Sequence, residues 1–114
     1  MKDIVIEKLE KLELHDKEIK KININIHAKE VEIVYEKWDE KLNDYETLYL
    51  IFCGVTKMET SEAFSNNLNV EEISEVNCKQ VNNDEYLAEI IMLASFGDPD
   101  WAIYITFKDI KTKP

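Results

Sequence analysis

The sequence predicts a mainly β protein, an antiparallel sheet or small sandwich with a short N-terminal helix. Three observations predict it. Ile22, Ile24 and Ile26 alternate with polar residues, and Trp101, Ile103, Ile105 and Phe107 alternate in the same way, which is the period of a half-buried strand. Tyr45 to Val55 is apolar on both phases, as a central strand covered on both sides would be. Helical spacing is confined to the start, so an α+β fold is the alternative only if residues 85–96 are helical.

Taken in order, Val5, Leu9 and Leu12 lie at helical spacing and place a short helix within residues 2–12, although Ile4 and Ile6 also fit a strand. From Glu18 the period is two. Ala28-Lys29 separates the isoleucine run from Val31, Ile33 and Tyr35, so the two runs form a hairpin without the usual Asn-Gly turn. Trp38 to Asp44 is polar and reads as a loop. Gly54 closes the next strand or marks a bulge within it. Residues 58–69 are polar, with one helical turn expected at Ser61-Glu62-Ala63-Phe64. Glu71 to Val81 reads as a strand with a bulge. Glu85 to Phe96 reads as a strand, because Gly97-Asp98-Pro99-Asp100 is turn chemistry leading into the strand at Trp101. A helix capped by Asn83-Asp84-Glu85 is the competing assignment.

With 114 residues and no linker-like stretch, residues 1–114 form one domain. Hydrophobic residues make up 45% of the chain, enough for a packed core. Its 14 basic side chains are all lysine, against 24 acids, for a net charge of −10. Nucleic acid is therefore not an expected partner, because phosphate binding needs clustered cations. Without arginine, no bidentate guanidinium clamp can form. No apolar run reaches a membrane span and no signal peptide opens the chain, so no membrane partner is expected and the expected compartment is the cytoplasm. Cys53 and Cys78 are too sparse for a disulfide scaffold and read as free, mostly buried thiols.

Few residues suggest chemistry. His15-Asp16 is the one histidine–carboxylate neighbour pair, but it lacks HxxxH or HxH spacing, and an anchored turn explains it as well as a metal site. His27 falls on the polar phase of its strand and is expected to be exposed. No GxSxG or phosphate-cradling loop occurs in a chain with two glycines. Paired acids at Asp39/Glu40, Glu71/Glu72, Asp84/Glu85 and Asp98/Asp100 are what 24 acids produce without selection for a site. No cofactor is implied. Trp101 is in phase with a core face, and Trp38 is also expected to be buried.

The position of the acids is more informative than their number. Residues 58–107 hold ten acids and the single lysine Lys79, whereas residues 1–57 are close to balanced. Such asymmetry steers a basic partner. Glu71, Glu72, Glu75, Asp98 and Asp100 are the candidate contacts.

Leu14-His15-Asp16 before an isoleucine-rich strand, an apolar run ending in Phe52-Cys53-Gly54-Val55, and the closing Trp101-Ala102-Ile103-Tyr104-Ile105-Thr106-Phe107 together resemble small bacterial immunity proteins of polymorphic toxin systems. Where those proteins carry a central Trp-Gly segment, this chain reads Ala63-Phe64-Ser65-Asn66-Asn67. The resemblance implies a β-rich fold and binding to a cognate toxin, with no catalytic residues to carry over.

Three functions then compete. A non-enzymatic protein-binding module, an immunity protein neutralising a basic toxin through an acidic surface, is the expected one. A small metal-dependent hydrolase would use His15, Asp16 and nearby carboxylates. A homodimeric structural protein would pair exposed strand edges, so monomer and homodimer both remain open.

Overall fold

The computed structural model describes residues 4–14, 17–60, 71–93 and 101–113. Among them lie one helix, α1 (Ile4–Lys11), and eight strands: β1 (Glu18–Asn25), β2 (Glu30–Asp39), β3 (Asp44–Cys53), β4 (Lys57–Thr60), β5 (Glu71–Gln80), β6 (Tyr86–Leu93), β7 (Trp101–Phe107) and β8 (Asp109–Lys113). The strands join in the order β4-β7-β6-β5-β1-β2-β3-β8 and every pair is antiparallel. The protein is mainly β with a short N-terminal helix, and residues 86–93 are strand rather than helix.

The sheet folds over on itself into two layers, β4-β7-β6-β5 and β1-β2-β3-β8. Their facing phases interleave: Val31, Ile33, Leu50 and Phe52 from one layer meet Ile73, Ile90, Met92, Ile103, Ile105 and Phe107 from the other in one buried cluster. The Phe52 and Phe107 rings meet edge to face at 4.9 Å across the interlayer space.

Two junctions hold the layers together, and both depend on irregular backbone. At the first, β3 and β4 pass from one layer to the other alongside β7 and β8. Between the pairs Cys53↔Asp109 and Lys57↔Thr106, three residues (54–56) oppose two (107–108). The extra residue is a bulge, which bends the ribbon around the corner. Gly54 takes φ +64° there, and a Cβ at Gly54 would lie 3.0 Å from the Lys108 Cβ. The corner is braced by Lys108 N donating to Cys53 O, Thr56 N donating to Thr106 O, and Thr56 Oγ1 donating to the Glu85 carboxylate at 2.6 Å.

The second junction is a short seam. β5 and β1 pair only through Glu18↔Glu72 and Ile19↔Glu71, next to an Ile73 N–H donated to Lys17 O. Each strand carries a register shift beside it, between Ile19 and Lys21 in β1 and between Ile73 and Glu75 in β5. Beyond the seam α1 takes over. It packs between β5 and β8, burying Leu9 and, just past its end, Leu14.

Five expectations change. The loop expected over 38–44 narrows to the turn 40–43 at the tip of the β2–β3 hairpin, because strand pairing continues to Asp39↔Asp44. Trp38 is 48% exposed, since this ribbon projects beyond the core and its indole packs on Tyr45 at 5.1 Å. Ile24 and Ile26 are 60% and 81% exposed: Ile24 keeps its phase opposite Val31 at the strand's end, whereas Ile26 falls in the turn 26–29 rather than on the strand. Strands β4 and β8 had no clear sequence signal, because both are short, charged edge strands. Cys53 and Cys78 are free thiols, each half-buried rather than buried. His27 is exposed as expected, but it lies in the turn 26–29 and not on the polar phase of the strand.

Candidate functional site

The acidic half of the sequence folds as one layer, because β4 to β7 run from Lys57 to Phe107. The charge asymmetry along the chain therefore becomes an asymmetry between two faces of the molecule. On the opposite layer the acids have cationic neighbours. Glu36 pairs with Lys20 at 3.0 Å, Glu30 with Lys111 at 3.4 Å and Glu32 with Lys113 at 3.7 Å. The last two bridges arch over β3, and their lysine stems cover Ile51, leaving it only 7% exposed. That accounts for the apolar outer phase of β3 without a further element of structure. The ammonium of Lys113 also sits 5.1 Å from the Tyr49 ring centroid.

The acidic layer is less compensated. Among its described residues, Glu59 pairs with Lys57 at 3.1 Å and Asp84 with Lys108 at 3.9 Å. Glu89 accepts a hydrogen bond from Asn77 at 3.1 Å. Burial, and after it the Glu89 carboxylate, pushes the Tyr104 phenol above its ordinary value. Glu85 is held below the usual carboxylate value, first by the Thr56 hydroxyl and then by the Asn82 amide, and serves the corner.

Glu75 is the candidate residue the structure places most fully. It is exposed, and the reason is the β5 register shift. Ile73 points into the core; in regular alternation residue 75 would share that phase. The extra residue at Ser74 reverses the phase, so Val76 and Cys78 pack against the core and Glu75 turns out. Glu71 and Glu72 lie in the backbone seam opposite Ile19 and Glu18. Asp98 and Asp100 lie outside the described residues, as do His15 and Asp16.

Glu75 joins two carboxylates that the sequence did not single out. A groove of about 380 Å³ runs between α1 and β5, lined by Glu10, Glu13 and Glu75 over Leu9, Leu14, Val76 and Cys78. Glu10 stands in the last turn of α1 and Glu13 follows just past its end, and acids at the C-terminal end of a helix are the signal that could have found them.

Local physics disfavours both positions. Each stands at the C-terminal end of α1, where the helix dipole favours cations. Glu13 also adopts φ +48°, the left-handed conformation that glycine normally supplies after a helix. The last turn closes through Leu12 N to Leu9 O at 3.2 Å and Glu13 N to Glu10 O at 3.1 Å. Across the groove, Glu75 stands on β5.

On the other flank of α1 the signs reverse. Lys8 and Lys11 face β8, where Lys111 lines the same groove. Exchanging the two flanks of the helix would have set opposite charges face to face in both grooves. The α1–β5 groove is instead lined by carboxylates and the α1–β8 groove by lysines, two of which pair with Asp109 and Glu30. No group of three or more metal-ligating side chains occurs among the described residues, nor is any described helix long and apolar enough to cross a membrane.

No family model matches the chain, and no curated protein matches it. Its fold is similar to the crystal structure of an uncharacterized protein from Neisseria gonorrhoeae, with a TM-score of 0.52 at 15% identity over 88% of this chain and 92% of that one. That likeness bears on the fold alone.

Proposed function

We propose that this protein is a non-enzymatic binding module that docks a basic protein partner through its acidic layer, with the α1–β5 groove receiving cationic side chains. The observation that carries the reading is the assembly of Glu10, Glu13 and Glu75 in one groove, with Glu10 and Glu13 at the end of α1 where the helix dipole opposes them, and Glu13 in a backbone conformation that favours glycine. Departures from local preference that stability does not explain are expected at functional sites. A lysine or arginine from a partner would pair with these carboxylates, and the apolar floor of Leu9, Leu14 and Val76 would pack its aliphatic stem.

On this reading the partner is a toxin with a basic surface and the chain is its immunity protein, in keeping with the sequence resemblance. Charge-led docking of this kind speeds association and weakens as salt rises.

The test is affinity capture from the source organism's lysate at low salt, with Glu10→Lys/Glu13→Lys/Glu75→Lys as the matched control. A basic protein should be retained by the native chain, released by salt and absent from the control. Equal capture by the two baits, or no basic protein at any ionic strength, would sink the proposal.

A further inference from the structure

The groove on the opposite flank of α1 has a different chemistry, and we propose that it binds a small anion with an apolar tail, of the alkyl carboxylate class. It encloses about 400 Å³ between α1 and β8, a volume within the range of small-molecule sites. Its lining is Lys8, Lys11, Leu12, Ile110, Lys111 and Thr112. Three lysines stand on its wall, two of them already facing a carboxylate, Lys8 with Asp109 and Lys111 with Glu30, while Lys11 has none among the described residues.

The geometry divides the two parts of such a ligand. Leu12 and the buried Ile110 supply an apolar floor, while Lys8 and Lys11, one helical turn apart, stand above it on the α1 side. Lys11 has no ion-pair partner among the described residues. Lys8 is shared with Asp109 at 3.4 Å and Lys111 with Glu30 at 3.4 Å, and in both pairs the lysine is about half exposed. Exposed pairs of this kind are weak, so either ammonium can turn to a ligand at little cost. Lysine acts as a mobile point charge, which suits a single carboxylate without fixed bidentate geometry.

A lipid surface could present the same chemistry. The other flank of α1, however, carries Glu10 and Glu13, which an anionic bilayer would repel. The free carboxylate is therefore the ligand proposed.

The experiment titrates the full-length chain with decanoate below its micellar concentration and follows backbone amide shifts. Saturable shifts confined to α1 and β8 are expected. Lys11→Glu should weaken binding by about fivefold, the equivalent of one exposed charge pair, and Lys11→Gln by less, with unchanged circular dichroism in both. Decanol should bind more weakly than decanoate. Decanol binding as tightly as decanoate, shifts spread beyond the groove, an unchanged affinity in Lys11→Glu, or a response to phosphatidylglycerol vesicles without a response to decanoate would each overturn the proposal.

Discussion

Glu13 sets local stability against the proposed function. A carboxylate at the C-terminal end of a helix, held at φ +48°, stands where glycine would relax the backbone and remove an unfavourable charge. Glu13→Gly should therefore raise stability by about 0.5–1 kcal/mol in urea denaturation while weakening capture of the basic partner. Loss of stability would show that the side chain serves the fold rather than a ligand. Gly54 is the opposite case, because a side chain there is strained. Gly54→Ala must hold an L side chain at φ +64° and place its Cβ 3.0 Å from that of Lys108. Destabilisation of about 2 kcal/mol is expected from the urea midpoint, and a change below about 0.5 kcal/mol would mean that the corner relaxes freely.

At the scale of elements, the two bulges decide which side chains the seam presents. Ser74 turns Glu75 outward and returns Val76 and Cys78 to the core, so the sequence showed the acid without showing where it points. The other corner is held by polar side chains. Glu85 has a folded value lowered from 4.5, chiefly by the Thr56 hydroxyl. Its carboxylate therefore contributes stability that is present above the unfolded value and is lost as pH falls through the lower, folded value. Glu85→Gln should lower the urea midpoint at about pH 6, and the gap to the native chain should close by about pH 3. A gap of the same size at both pH values would argue that the carboxylate's charge plays no part. The β2–β3 tip shows how a polar stretch misleads: Trp38 and Tyr45 continue the ladder through aromatic contact, where polarity alone suggested a loop.

For the molecule as a whole, charge is segregated by layer. The β1-β2-β3-β8 layer sets Glu30, Glu32 and Glu36 against lysines, whereas the acids of the β4-β7-β6-β5 layer have fewer lysines near them, with Lys57 and Lys108 pairing to Glu59 and Asp84. A net charge of −10 held on a small fold is self-repelling. Raising NaCl from about 20 mM to about 200 mM shortens the screening length roughly threefold, so the thermal midpoint should rise. Reversing Glu75 and Glu89 to lysine should flatten that rise. A midpoint that falls with salt would mean that the lysine bridges of the other layer outweigh the repulsion.

The sequence by itself determined the strand content, the helix at the start, the turn-flanked strand at Trp101 and the concentration of acid in residues 58–107. Each is a local property, written in the period of apolar residues or in composition. Only the tertiary structure decided that the acidic stretch is one layer, that Glu75 faces solvent, and that α1 splits its charges between two grooves. Those facts depend on a one-residue bulge, on a short seam between strands some fifty residues apart, and on how a helix is rotated about its axis. Changing any of them re-aims side chains without altering the hydrophobic pattern from which the elements were read.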